Sequence, residues 1–317
     1  MTVSRSGFLV GAALASSVAL LGASPPRTNL TIAAIPSDIS GEAWYANELG
    51  YFKAAGFETK IYPLTNGASI AAAVASGSAD IGYSNVISLA TAHQRGIPFT
   101  ILAPANLHVH GAPTAGLLAV RKAGPIQSAK DLSGKVVAVI GLNNIAHVAT
   151  RYWIDKNGGD STTVKFIELP FSEMSAAVIA GRVDAAALDA VGDPTAGTPD
   201  DPLRRLGSTF DAVSPRFAPS VWFTTKDWVQ KHHDEAAHFA AVMQKTARWA
   251  NRHHSESADM LAVFAHLTRS NIDRFTRATY GDRISVDLVQ PSIDAAARYG
   301  VIKSAFPAPE LISSVAI

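Results

Sequence analysis

No cysteine occurs in the 317 residues of this chain. That absence excludes disulfides, thiolate metal sites, cysteine nucleophiles and a lipid-modified cysteine at a processing site. Charge of one sign is also lacking, with Lys+Arg at 27, Asp+Glu at 26 and a formal net charge of +1. There is no basic run interleaved with aromatics and no long charge block, so a nucleic-acid partner is not expected. Neither a Walker loop nor a G-x-G-x-x-G fingerprint is present. His232, His233 and His238 do not make H-E-x-x-H, and with Asp234 and Glu235 they read as a solvated helix face. His108 and His110 could share one face of a strand, but no metal and no cofactor is assigned. A long apolar run occurs at the start, from Phe8 to Leu21, after Arg5 and before Gly22-Ala23-Ser24 and Pro25-Pro26. It falls short of the roughly 20 residues that cross a bilayer. Residues 1–24 therefore read as a cleaved signal peptide, and the mature chain as exported and not lipid-anchored.

What the chain does have is a repeat. Ala71-Ala72-Ala73-Val74-Ala75-Ser76-Gly77-Ser78-Ala79-Asp80-Ile81 resembles Ser175-Ala176-Ala177-Val178-Ile179-Ala180-Gly181-Arg182-Val183-Asp184-Ala185, 104 positions later. Each copy reads as a helix stopped by glycine, which takes the left-handed conformation past a helix end, followed by a strand. The same offset sets Thr31-Ile32-Ala33-Ala34-Ile35 against Lys135-Val136-Val137-Ala138-Val139, two short runs of buried-strand character. The repeat thus spans a β-α-β-α-β block. The first copy predicts strands near 30–35, 58–62 and 79–83 with helices near 42–54 and 67–76. The second predicts strands near 135–140, 163–167 and 183–188 with helices near 144–156 and 172–180.

The fold class expected is α/β, with two similar lobes of mixed, mostly parallel sheets and a cleft between them. Length and a 48% hydrophobic content agree with two domains. A helix over Val86 to Arg95 and a strand over Pro98 to Leu102 extend the first lobe. Asn106 to Pro113 is turn-rich, and Gly116 to Val120 reads as a strand entering the second lobe. Asp193 to Pro219 reads as a proline- and glycine-rich stretch, and Ser220 to Thr224 as a strand going back. Lobe 1 is therefore expected at 25–115 and 221–317, and lobe 2 at 116–220. Beyond Lys226 the pattern is helical to the end, with Phe239, Val242, Met243, Thr246, Trp249 and Ala250 on one core-facing stripe. Two crossings between lobes would make a hinge.

Ligands of parallel-sheet units gather outside the carboxyl ends of the strands. The loops there are Pro36-Ser37-Asp38-Ile39-Ser40, Thr65-Asn66-Gly67, Ser84-Asn85, Gly141-Leu142-Asn143-Asn144 and the position of Asp189. Their short polar side chains cap helices and also present hydroxyl or amide groups, while a helix start favours an anion. Asp38 and Asp189 are carboxylates that would attract an amine or N–H donor, and if both face the ligand a plain sulfonate or nitrate is disfavoured. Trp44, Tyr83 and Trp222 could stack on a flat ligand, though aromatic residues also fill cores.

Several segments in order resemble the periplasmic substrate-binding proteins of ABC importers, in the nitrate, sulfonate, taurine and thiamin-pyrimidine group. They are Ala46-Asn47-Glu48-Leu49-Gly50-Tyr51-Phe52-Lys53-Ala54-Ala55-Gly56-Phe57, Ala75 to Gly82, Asp131 to Val139, Ala146-His147 and Ala180 to Ala186. The resemblance implies a type II binding-protein fold and capture of a small molecule between lobes. It further implies delivery to an inner-membrane permease with its ATPase, a monomer, and a periplasmic location. It also places His147 near the cleft. One departure is the run Leu188-Asp189-Ala190-Val191, where the family commonly has an aromatic residue, an acid and a proline, with Asp193-Pro194 arriving late. The candidate ligand residues are Ser37, Asp38, Trp44, Asn66, Gly67, Ser84, Asn85, Asn143, Asn144, His147, Asp189 and Trp222. No catalytic residue is assigned. Thiamin-pyrimidine synthases resemble the same scaffold but carry a cysteine-rich motif that is missing here, and Gly82-Tyr83-Ser84-Asn85-Val86 lacks the second glycine of a nucleophile elbow. A ligand-sensing module for a membrane receptor is the other alternative.

Overall fold

A computed structural model describes residues 28–112, 115–189 and 200–316, with Met1 and Thr198. The expected signal peptide and the stretch around Asp193-Pro194 lie outside the described residues. Among the described residues no helix is long and apolar enough to cross a membrane.

Two five-stranded sheets define two lobes. The first contains β1 (Thr28–Ala34), β2 (Phe57–Pro63), β3 (Ile81–Asn85) and β4 (Phe99–Pro104). The second contains β6 (Ala115–Arg121), β7 (Val136–Val139), β8 (Lys165–Glu168), β9 (Ala185–Asp189) and β10 (Leu203–Ser208). A small third sheet joins β5 (Asn106–Val109) to β11 (Arg216–Phe217) and β13 (Thr279–Tyr280), and β12 (Ser220–Thr225) completes the first. Strand order is β2-β1-β3-β12-β4 in lobe 1 and β10-β6-β9-β7-β8 in lobe 2. In each, four strands run in one direction and the remaining one, β12 or β6, runs antiparallel to both its neighbours. That reversed strand is in both sheets the first one laid down after the chain crosses from the other lobe.

The helices in chain order are α1 (Glu42–Glu48), α2 (Tyr51–Ala54), α3 (Gly67–Ala75), α4 (Val86–Gln94), α5 (Ile145–Lys156) and α6 (Phe171–Ile179), and then α7 (Lys226–Lys231), α8 (His233–Ala250), α9 (His254–Phe264), α10 (Arg269–Ile272) and α11 (Val286–Arg298). The single helix expected over 42–54 is two, because Gly50 turns left-handed at φ 68° between them.

The repeated unit has one local cause in both lobes. After α3 the N–H of Gly77 donates to Val74 O at 3.1 Å and that of Ser78 to Ala73 O at 2.9 Å; after α6 Gly181 and Arg182 repeat the pattern on Val178 and Ala177 at 3.1 and 2.9 Å. Both glycines sit at positive φ, 75° and 71°, so each helix ends in the same Schellman motif. The aspartate that follows then ties helix to sheet. Asp80 N donates to Thr31 O while Thr31 N donates to Asp80 Oδ2, and Asp184 does the same with Val136. Thr31 is therefore the counterpart of Val136, 105 positions on, and the pairing of Thr31 with Lys135 slips by one. A one-residue slip in a strand exchanges its faces, and with it corrected Ile32 matches Val137, both fully buried.

Three further expectations change. Part of the turn-rich stretch after Ala105 is strand β5. The segment read as proline- and glycine-rich up to Pro219 contains β10, a short edge strand whose Arg204 and Arg205 hide its period; charged edge strands resist unwanted pairing. The tail is not helical throughout. Past α11 it runs back to β4, where Ile101 N donates to Leu311 O at 2.7 Å and Ser313 N to Ile101 O at 2.9 Å. The stripe on α8 does face the core: Phe239, Val242, Met243, Thr246 and Ala250 are buried, and Trp249 is half-buried.

Candidate ligand site

Between the lobes lies a cavity of about 210 Å³, walled by both. Drug-sized ligands occupy roughly 300–1,000 Å³, so a compact molecule fits. The floor is apolar and comes from both sides: Ile35 and Ile39 from lobe 1, Ile140, Phe171 and Phe210 from lobe 2. Four helices, α3, α4, α5 and α6, begin at or beside lining residues. Among the lining residues no side chain is basic, and one, Glu168, is acidic. Glu168 is exposed and accepts from Leu142 N at 2.6 Å.

Helix starts leave backbone N–H groups without an intrahelical partner. At α3, Asn66 Oδ1 caps Ser69 N at 2.9 Å, so the N–H groups of Gly67 and Ala68, both on the cavity wall, remain open to a ligand. At α5, Asn144 Oδ1 caps His147 N at 3.1 Å, which leaves Ala146 N open on the opposite wall. Ser84 completes the set. Its Oγ is buried, has no hydrogen-bond partner and lines the cavity. A Cβ on Gly67 would stand 2.8 Å from that oxygen, so glycine keeps the space beside it clear.

Of the twelve candidate residues, Asn66, Gly67, Ser84, Asn85 and Asn144 line the cavity. The other seven are not among its lining residues. Ser37 Oγ donates across the cleft to Asp189 Oδ2 at 2.9 Å, and both residues are buried. Asp38 does not aim into the cavity: Arg277 donates to it through Nε at 3.0 Å and Nη2 at 2.8 Å, Ala278 N at 2.6 Å and Tyr45 Oη at 3.1 Å. Of the three aromatic residues considered, Tyr83 lines the cavity, and the other two pack elsewhere. Trp44 stacks on Phe264 with centroids 4.6 Å apart, and buried Trp222 donates its Nε1 to Glu42 Oε2 at 2.8 Å.

Asn143 adopts φ 56°, and its N–H donates to Nδ1 of His147 at 3.0 Å. That bond requires a neutral imidazole. Burial, aided by Arg151, pushes the His147 pKa down to about 4, so His147 pins the Gly141–Asn144 loop as an acceptor. His108 and His110 both reach one carboxylate, Asp211, at 2.8 and 3.1 Å. Sequence reasoning missed Glu42, whose carboxyl is fully buried with Oε1 unpartnered; burial raises its pKa well above the ordinary range. It also missed Arg277 and Ala146.

The two-lobed α/β architecture with its inter-lobe cavity is the periplasmic binding protein fold. The periplasmic aliphatic sulphonate binding protein SsuA from Escherichia coli superposes with a TM-score of 0.71 at 17% identity over 90% of this chain and 92% of that one. The alkanesulfonate-binding protein SsuA from Xanthomonas axonopodis pv. citri, bound to MOPS, gives 0.72 at 17% identity over 90% and 99%. A zinc-bound ligand-binding component of an ABC-type import system from Staphylococcus aureus gives 0.78 at 13% identity over 90% and 97%. No curated protein matches the sequence. Residues 41–257, more than half of the chain, match the NMT1/THI5-like family. The chain belongs to that family.

Proposed function

We propose that this protein is an extracytoplasmic solute-binding protein that captures a small organic anion between its lobes and hands it to an ABC-type importer. One observation carries the reading: open N–H groups of two helix starts, one from each lobe, meet the unpartnered Ser84 hydroxyl at a single cavity. Helix starts favour negative charge through their aligned dipoles. With no basic side chain on the wall, a second negative charge would go uncompensated, which favours a monoanion. The apolar floor suits a short aliphatic or aromatic body on that head. Two of the structural neighbours described above bind sulfonates, which supports the same chemistry.

Ligand contact is assigned to Asn66, Gly67, Ser84, Asn85, Asn144 and Ala146. Lobe 1 comprises 25–115 and 221–317, lobe 2 comprises 116–220, and residues 1–24 act as a cleaved signal that sends the protein to the periplasm as a monomer. No reaction is proposed at the site.

A thermal-shift panel of short sulfonates, carboxylates, nitrate, sulfate, pyrimidines and amines tests this reading. A monoanion with a short apolar tail, at 100 times its dissociation constant, should add about 2.7 kcal/mol of stability. Ser84→Ala should leave the free protein as stable as before, because no bond is lost, and weaken that anion about tenfold or more, as for a hydrogen bond to a charged group. A panel in which only pyrimidines or amines register would overturn the anion reading.

A further inference from the structure

Asn85 ends β3 and is the N-cap of α4, and it does more than cap one helix. Its Oδ1 accepts from Ser88 N at 3.0 Å, in the first turn of α4, and from Ile145 N at 3.3 Å, the first residue of α5 in the opposite lobe. Its Nδ2 is held by Ser88 Oγ at 2.8 Å, which fixes the carboxamide in this orientation. The donors at the start of α5 are thus shared out: His147 N goes to its own cap Asn144, Ile145 N goes to lobe 1, and Ala146 N faces the cavity.

The grip continues along α5. Ile145, Val148 and Ala149 are buried in the same apolar cluster as the lobe 1 sheet. Farther on, Arg151 lies over the ring of Tyr299, Arg298 over that of Tyr152, and Tyr299 Oη donates to Asp155 at 2.8 Å. Other directional bonds join the lobes, among them Tyr299 Oη to Asp155 on the outer side and Ser37 Oγ to Asp189 Oδ2 at 2.9 Å near the cleft, but the Asn85 bond alone among these ties together two helix starts that both line the cavity.

We propose that Asn85 is a positioning residue that couples closure to binding. A single carboxamide oxygen caps helices from both lobes, so it acts with the Ser37–Asp189 bond to hold the cleft shut, and it aims the free Ala146 N–H at the ligand. Because only the closed form presents both walls, apparent affinity scales with the fraction closed before ligand arrives. The link to affinity rests on the solute-binding reading; the effect on closure does not.

Asn85→Ser separates the two roles. Serine is as good an N-cap as asparagine, so α4 keeps its cap, but its shorter side chain cannot also span to α5. With one cysteine placed on the outer surface of each lobe of this cysteine-free chain, dye-to-dye energy transfer reports closure without ligand. We expect Asn85→Ser to keep the melting temperature and to lower the closed-to-open ratio about 2- to 10-fold, the range for one net hydrogen bond. Asn85→Asp, which retains the reach and adds charge where two helix dipoles favour it, should keep that ratio or raise it while weakening ethanesulfonate. An unchanged ratio in Asn85→Ser, or a fall of equal size in Asn85→Asp, overturns the proposal. If the unsubstituted protein binds no ethanesulfonate, the anion reading fails while the ligand-free ratios still decide the role of Asn85.

Discussion

Lobe 1 and lobe 2 share a strand plan and a helix-end motif, yet they hold their ligand loops in opposite ways. In lobe 1 the loop after β1 is anchored by a buried ion pair, Asp38 with Arg277, whose side chains are 2% and 8% exposed. In lobe 2 the loop after β7 is anchored by a neutral imidazole accepting one backbone N–H. Their cores differ in the same direction. The lobe 1 cluster reaches across to take in Ile145, Val148 and Phe210, whereas the lobe 2 sheet is covered by two smaller clusters. The shared unit is scaffold, and each lobe has fixed its variable loop with whatever lies nearby: a tail segment in one, the following helix in the other.

The comparison can be broken most forcefully at Asp38. Removing one partner of a buried ion pair strands the other, so Asp38→Ala or Arg277→Ala should cost about 3–5 kcal/mol in urea unfolding. Asp38→Asn should likewise lower the melting temperature instead of retuning ligand preference. A loss below about 1 kcal/mol would mean that the loop is held by other contacts. Next come the two helix ends. Gly77→Ala and Gly181→Ala force a side chain into the left-handed region at about 1–2 kcal/mol each. Neither new Cβ meets anything closer than 3.6 Å, so the two costs should agree, and a gap above 1 kcal/mol would show that the repeated motif is not energetically equivalent in the two lobes.

A pH-dependent effect belongs to His147. Its folded pKa, about 4, lies below the ordinary 6.5, so the unfolded chain binds the proton first and stability rises with pH through that window. The stabilisation is complete above pH 6.5 and is lost as pH falls towards 4. His147→Gln should flatten this part of the stability profile, measured by denaturant unfolding at stepped pH.

The glycine-ended helices and the aspartates after them were legible in the sequence because they depend on neighbours a few residues away. So were the loops that reach the cavity, since strand ends dictate where ligands gather. The one-residue slip between Thr31 and Lys135 was not legible, because similar apolar runs align equally well in either register until the Asp184 carboxylate selects Val136. Nor was the fate of Asp38. Its partner is 239 positions away, and nothing local distinguishes a carboxylate awaiting a ligand from one already claimed by an arginine. Asn85 was read as a cap and as a ligand group; that one oxygen serves helices in two lobes depends on how the lobes are set against each other.

The position of β12 has a consequence for when the molecule can fold. It sits inside the lobe 1 sheet, between β3 and β4, yet it is synthesised only after all of lobe 2, and the segment that borders β4 comes later still. Pairings this distant along the chain are slow to form. Lobe 1 can therefore close its sheet only after lobe 2 has been made, so its first four strands wait unlocked while the second lobe emerges.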